Sequence, residues 1–326
     1  MRPFSFSRAA DAAEAVKAGG TYLAGGTTLL DLMKLDVMRP ERLVDINDLA
    51  GQFGGIQYGP DGLRLGAMVH MAEAARHPDI LRHYPVIAQS LTLAASAQIR
   101  NMASLGGNVL QRTRCTYFRD VSWSQCNKRR PGSGCAALEG VNRKHAVLGT
   151  SPNCIATYPG DFAQALIALD ANVETAGPDG ARRIAFADLH VAPGDDPSVE
   201  TSLRPGELIT AFSVPPLPFA RRSLYLKIRD RQSYEFALAS AAVALDLDGD
   251  VVRETRIALG GVATKPWRAR EAEAALRGKT LDENSARAAA EAAFAGAVTH
   301  GQNDYKPELG RRTLVRALLE AKALEV

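Results

Sequence analysis

Every cysteine of this 326-residue chain lies in one window, at Cys115, Cys126, Cys135 and Cys154. The spacing is Cys-x10-Cys-x8-Cys-x18-Cys, and Arg112, Arg114, Arg119, Lys128, Arg129, Arg130, Arg143 and Lys144 stand around it. Thiolates are ligands for soft metals. An iron-sulfur cluster held by four of them carries net negative charge, which a basic surround stabilises. Structural zinc is a rival, although zinc sites usually close short Cys-x2-4-Cys knuckles and none is present. Two disulfides are another, although disulfide frameworks belong mainly to small secreted domains and this chain is long enough to bury an ample core. Unrelated free thiols are the last. The spacing by itself leaves these readings open.

Two glycine segments are the next chemical feature. In TYLAGGTTLLDLMKLD, residues Tyr22 to Ala24 read as a short buried strand, Gly25 and Gly26 as a tight turn, and Thr27 to Leu35 as the first turns of a helix. A glycine turn feeding a helix start offers free backbone N–H groups and a positive dipole end, which suits a phosphate or pyrophosphate. The second segment, Ala103-Ser104-Leu105-Gly106-Gly107-Asn108, follows about 80 residues later. Two such loops, each approaching an anion closely, fit a dinucleotide gripped from two sides. Neither matches the Rossmann G-x-G-x-x-G pattern or a P-loop, so the usual NAD and ATP folds are disfavoured.

Single residues are less informative. Asp161 precedes the run FAQALIALDA and reads as its helix cap. Lys227 sits in a strand that can face the glycine loops, and a solvated lysine is the plain alternative. His70, His77 and His83 lack metal-ligand spacing and read as surface or capping residues.

The elements that must position these groups follow from periodicity and punctuation. AADAAEAVKA predicts a helix stopping at Gly19 and Gly20, RLVDIN and GLRLGA predict strands, and residues 70–100 predict two helices divided at Pro85. The cysteine segment is loop-like throughout, with RRPGSG and GTSPN, and reads as an insertion ordered by whatever its thiols bind. Beyond Cys154 come a helix and strands in ANVETAG, ARRIAFADL and GELITAFSVP, an α+β pattern with antiparallel pairing. Val214-Pro215-Pro216-Leu217-Pro218 marks a domain boundary. After it, SLYLKIRDRQ and SAAVALDLDGDVVRETRIALGGVA predict three antiparallel strands with a turn at Asp248-Gly249-Asp250, and Arg268 to Glu325 predicts a helical bundle.

Composition excludes some partners. With 46% hydrophobic and 23% charged residues and a net charge of +3, the basic residues cluster around the cysteines and not in an arm or helix face, so no nucleic-acid partner is expected. No run approaches a membrane span. The opening MRPFSFSRAADAAEA has no apolar signal region, so any export is expected to depend on a partner.

Six segments in order, LAGGTTLLDLM, IRNMASLGGNV, GDFAQALIALDANV, PGELITAFSVP, YLKIRDRQSYEFALASAAVAL and RIALGGVATKPWRAREAEAAL, resemble the FAD-binding subunits of the molybdenum hydroxylase (xanthine oxidase) family over essentially the whole chain. The resemblance implies an α+β fold. A two-lobed FAD-binding domain of the PCMH type would span residues 1–216, and a domain of three antiparallel strands with a helical bundle would span 217–326. Most members run straight from the GGN loop into the Asp-containing helix, whereas this sequence interposes an insertion at about 112–156. That insertion resembles those of the few members with an additional Fe4S4 cluster. It is more similar to the one in flavin subunits of bacterial periplasmic aldehyde oxidoreductases than to the one in 4-hydroxybenzoyl-CoA reductase.

Carried over residue by residue, the resemblance puts FAD against Leu23, Ala24, Gly25, Gly26, Thr27, Thr28 and Leu29 and against Ser104, Gly106, Gly107 and Asn108. It puts Asp161 on the flavin's sugar-like chain, Leu208 or Ile209 near the adenine and Lys227 near the flavin ring. Cys115, Cys126, Cys135 and Cys154 become the ligands of an Fe4S4 cluster. Because the insertion replaces the family's usual residues after Asn108, flavin contacts made there are expected to differ. The implied role is electron transfer in a heterotrimer with a molybdenum-cofactor large subunit and an Fe2S2 small subunit, ending at an external electron acceptor. The implied location is the periplasm, by co-export with a signal-bearing partner. A 4-hydroxybenzoyl-CoA-reductase-like or xanthine-dehydrogenase-like complex, a flavin-free iron-sulfur scaffold and a standalone NAD(P)H flavin reductase are the alternatives.

Overall fold

The computed structural model describes residues 1–326, folded as three sheets and the helices that cover them. Strands β1 (Ser5–Arg8), β2 (Thr21–Leu23) and β3 (Arg42–Asp45) form a small parallel sheet in the order β1-β3-β2. Parallel neighbours need crossovers, and the helices Ala12–Ala18 and Leu29–Lys34 supply them. The first is capped by Asp11, whose carboxylate accepts from the Glu14 amide at 2.8 Å, and it stops at Gly19 with φ 61°.

The second sheet joins β4 (Ile56–Gly59), β5 (Gly62–Gly66), β6 (Asn172–Gly177), β7 (Gly180–Ala185) and β8 (Leu208–Val214) in the antiparallel order β4-β5-β8-β6-β7. The third contains β9 (Ser223–Ile228), β10 (Ala239–Asp248), β11 (Val251–Gly260) and β12 (Trp267–Arg268), also antiparallel, in the order β12-β11-β10-β9. The hairpin turns at Gly249, whose φ of 56° suits glycine. The sheet gains a fourth strand, β12, too short to show as a period-2 pattern.

Strand β10 explains how the two halves of the chain adhere. Its residues alternate faces. Ala241, Val243 and Leu245 pack with the helices Arg270–Leu276, Glu283–Phe294 and Lys306–Lys322, whereas Ala242 packs with Phe162 and the core of the second sheet. Both faces are covered, so the strand reads as an unbroken apolar run instead of an alternation.

Residues 70–100 break into four short helices, Met71–Ala74, Pro78–His83, Pro85–Thr92 and Ala97–Met102, where two long ones were expected. Pro78 and Pro85 each restart a helix, and Ala95 at φ 49° turns the chain before Ser96 caps the last, its hydroxyl accepting from the Ile99 amide. No helix is long and apolar enough to cross a membrane.

The cysteine segment has little regular structure: one helical turn, Thr116–Arg119, the isolated bridges Cys126–Cys135 and Ser151–Cys154, and a third, Leu148–Ala263, to the C-terminal part. Side chains fix it instead. The Arg129 guanidinium donates to the carbonyls of Tyr117, Phe118, Asp120 and Trp123. Buried Asn142 donates to the His300 carbonyl at 2.7 Å and accepts from the Gln302 amide at 3.1 Å. Lys306 Nζ, fully buried, donates to the carbonyls of Lys144 and Gly261 at 3.0 and 2.6 Å. These bonds fasten the segment to the C-terminal sheet and bundle.

Candidate functional site

The first glycine segment and the second touch. A Cβ on Gly25 would overlap the Met102 carbonyl, so only glycine lets the two loops approach this closely. Between them and the start of β8 opens a cavity of about 360 Å³. Its walls include Ala24, Gly25, Gly26, Thr27, Thr28, Leu29, Ser104, Gly106, Gly107, Leu208 and Ile209. Leu23 and Asn108, expected with them, stand outside the lining: Leu23 belongs to β2, and the Asn108 side chain donates to Met71 Sδ at 3.4 Å.

The loops differ chemically in a way the sequence conceals. The amides of Gly25, Gly26, Thr27 and Thr28 donate to no group within the chain. Those of Leu105, Gly106 and Asn108 donate to the carbonyls of Val69, Ala67 and Ser104, and Gly107 donates to Ser104 Oγ. The second segment is the capped start of a short helix, Leu105–Val109, and serves as a satisfied surface. The first loop offers four open amide donors for an anion and the second only that of Ser104, where the sequence suggested both alike.

A second cavity, about 380 Å³, shares Met38, Leu110 and Arg112 with the first. Its wall carries several polar side chains, those of Gln111, Lys128, Tyr158, His190, Glu200 and Lys265 among them. His190 is buried, and its Nε2–H donates to the Val109 carbonyl at 3.1 Å. Burial pushes its ring down to about 4, which leaves it neutral at ordinary pH.

The second cavity in turn shares Lys128, Cys154 and Ala156 with a small space of about 10 Å³ lined by Cys115, Cys126, Cys135 and Cys154 together. The fold thus brings all four thiols to one enclosure. All are free, so neither disulfide is formed. Burial pushes the Cys115 thiol up to about 12 and the Cys154 thiol up to about 11, the latter against the pull of the Lys128 ammonium. His145 Nε2 lies 3.2 Å from Cys115 Sγ. A single zinc ion would need its thiolates about 2.3 Å from one point, and no three His, Cys, Asp or Glu side chains are grouped to hold a metal ion. The four soft thiols line one small space.

The basic surround is largely committed elsewhere. Arg114 and Arg119 pair with Asp31, Arg143 with Asp230, Lys144 with Glu235, and both Arg112 and Lys128 with Glu200. Most of these cations hold the segment in place instead of presenting free charge to the thiols.

Asp161 and Lys227 meet, outside the walls of the three cavities above. Lys227 Nζ is 2.7 Å from Asp161 Oδ2, and the Tyr225 hydroxyl donates to Asp161 Oδ1 at 2.6 Å. Both side chains are almost wholly buried. Asp161 precedes the helix Phe162–Ala168 without capping it, because its carboxylate is turned toward the lysine and tyrosine. The pair adjoins Tyr158, whose hydroxyl is made less acidic by burial and by the Asp161 charge, and Tyr158 lines the second cavity. The wall residues that sequence reasoning did not single out, Met38, His190, Glu200 and Lys265 among them, come from separate loops and carry no local pattern.

Residues 1–217 match the family model for the FAD binding domain in molybdopterin dehydrogenase, and residues 224–321 match the CO dehydrogenase flavoprotein C-terminal domain. The chain belongs to the FAD-binding subunits of the molybdopterin dehydrogenase family. It is an oxidoreductase subunit of the flavin-binding kind, not the molybdenum-binding kind. It is 46% identical to the aldehyde oxidoreductase FAD-binding subunit PaoB of Escherichia coli (strain K12), over 329 residues covering 99% of both chains. The carbon monoxide dehydrogenase medium chain of Afipia carboxidovorans is 30% identical over 92% of this chain and 88% of its own. Carbon monoxide dehydrogenase from Hydrogenophaga pseudoflava has a chain of the same fold, with TM-score 0.76 and 27% identity over 99% of this chain and 98% of that one.

Proposed function

We propose that this chain is the FAD- and Fe4S4-carrying electron-transfer subunit of a molybdenum-dependent aldehyde oxidoreductase. The observation that carries the reading is the row of three cavities with shared walls, running from the glycine loops through a polar chamber to the four cysteines. The open amides of Gly25, Gly26, Thr27 and Thr28 hold the FAD diphosphate, with Ser104, Gly106 and Gly107 closing the opposite wall. Leu208 and Ile209 flank the adenine end. The polar chamber takes the ring, near the Asp161–Lys227 pair beside Tyr158. The four cysteine thiols would ligate the cluster as thiolates, Cys115 and Cys154 giving up protons that burial otherwise holds on them.

FAD accepts two electrons and releases them singly or together, and an iron-sulfur cluster passes them one at a time, which suits a relay between Fe2S2 clusters of a small partner subunit and an external acceptor. The 46% identity to an aldehyde oxidoreductase subunit supports the aldehyde as substrate of the molybdenum-bearing partner. Assembly as a heterotrimer is supported by the relatives named as medium chains. Co-export to the periplasm with a signal-bearing partner belongs to the same reading, and cell fractionation of the native complex tests it.

The purified chain should carry one FAD and four iron atoms with matching labile sulfide. Cys154→Ser should lose the iron and its EPR signal while FAD is retained. A wild-type chain that binds FAD but no iron would sink the cluster, and a complex whose flavin is not reduced by any aldehyde would sink the substrate.

A further inference from the structure

One carboxylate stands between the two proposed redox chambers. Glu200 lines the polar chamber, and each of its oxygens takes a different cation. Oε2 pairs with Arg112 Nε, and Arg112 lines both the glycine-loop cavity and the polar chamber. Oε1 pairs with Lys128 Nζ at 2.8 Å, and Lys128 lines both the polar chamber and the cysteine cavity. The arrangement is fixed. Lys128 Nζ also donates to the Pro197 carbonyl at 3.0 Å, the Arg112 guanidinium sits over the Phe118 ring, and the Asn153 amide donates to the Gly194 carbonyl on the same loop. The Arg112, Lys128 and Glu200 side chains are one quarter exposed or less, so solvent screens their charges less than those of the outer ion pairs.

We propose that Glu200 is a positioning residue that couples the two centres electrostatically, holding Arg112 toward the flavin and Lys128 toward the cysteine-bound cluster. The inference rests on the proposed function above. Arg112 favours electron uptake at the flavin, Lys128 favours it at the cluster, and Glu200 moderates both because its single charge is shared. Nothing in the local sequence links the three, since Arg112 and Glu200 are 88 positions apart. Removing the carboxylate leaves two cations uncompensated, and the potentials of both centres then rise. Removing one cation lowers chiefly the potential of the centre it faces.

The test is a spectroelectrochemical titration of the purified holo-complex, reading flavin by absorbance and the cluster by EPR, with FAD and iron counted in every sample. Glu200→Gln is expected to shift both midpoints to more positive values at wild-type cofactor content. Arg112→Gln is expected to shift the flavin midpoint down with the cluster nearly unmoved, and Lys128→Gln to shift the cluster midpoint down most and the flavin midpoint less, since Lys128 lines both chambers. A Glu200→Gln complex in which either midpoint stays at the wild-type value overturns the coupling. Should Glu200→Gln fail to assemble, the two cation variants decide, and identical responses of both centres to each would also overturn it. Wild-type complex lacking cluster iron defeats the functional reading itself, an outcome distinct from any of these.

Discussion

Lys227 and Asp161 lie 66 positions apart and are nearly inaccessible to solvent, so each is the other's means of being charged in the interior. Breaking a buried pair by removing one partner leaves an uncompensated charge and costs about 3–5 kcal/mol. Lys227→Met should therefore lower the unfolding free energy by about 3 kcal/mol or more in urea titrations, and the double variant Lys227→Met with Asp161→Asn should recover part of that. Equal losses in single and double variants would show that the pair is not the stabilising unit. His190 gives a pH prediction. Its ring is neutral in the fold down to about 4 because of burial, against an ordinary value of 6.5. Between those values the unfolded chain binds the extra proton and the folded chain does not, so stability falls as pH drops through that window. The loss is on the order of 3 kcal/mol by pH 4, and His190→Leu should remove that share in denaturation curves measured from pH 7 to 4, leaving the slope due to His145, whose ring burial also pushes down to about 4.

At the scale of elements, the two glycine loops look alike in sequence and do different work. Gly25 is where one loop meets the backbone of the other, and a methyl group there collides with the immobile Met102 carbonyl. A Cβ on Gly107 would meet only Ser104 Oγ, at 3.0 Å, and that hydroxyl can rotate. Gly25→Ala should purify with little or no FAD while Gly107→Ala keeps most of it, as judged by flavin absorbance per chain. Equal flavin content in the two variants would remove the distinction between an open anion loop and a satisfied wall. The cysteine insertion is the other telling element. It has one helical turn and three isolated bridges, and its order comes from Arg129 gathering carbonyls and from bonds to its neighbours.

Across the whole molecule, the insertion ties the flavin domain to the C-terminal one. Asn142 is 2% exposed and spans the joint, donating to the His300 carbonyl and accepting from the Gln302 amide. Asn142→Leu leaves those part-buried groups without their partner and the Leu side chain without the bonds that fix the joint, at about 1 kcal/mol for each lost bond. It should lower stability by about 2 kcal/mol or more and speed proteolytic cutting within 112–156, followed by mass spectrometry. Unchanged cutting would mean the joint is held elsewhere, with Lys306 the next candidate. The same joint keeps the cysteine cavity beside the polar chamber, since Lys128, Cys154 and Ala156 belong to both.

The sequence by itself determined a good deal. The α+β order, the hairpin at Gly249, the C-terminal bundle and the family were legible because apolar period, glycine and proline positions and ordered motifs are local properties of the chain. The clustering of the cysteines was legible too, and so was the interest of Gly25, Gly26, Gly106 and Gly107. Only the tertiary structure decided which amides stay open, because that depends on whether Ala67 and Val69 offer carbonyls to the second loop. Only it turned Asp161 from a helix cap into the partner of Lys227, and placed Glu200 between Arg112 and Lys128. Those are contacts between distant segments, and spacing along a chain carries no record of which side chains will share one buried charge.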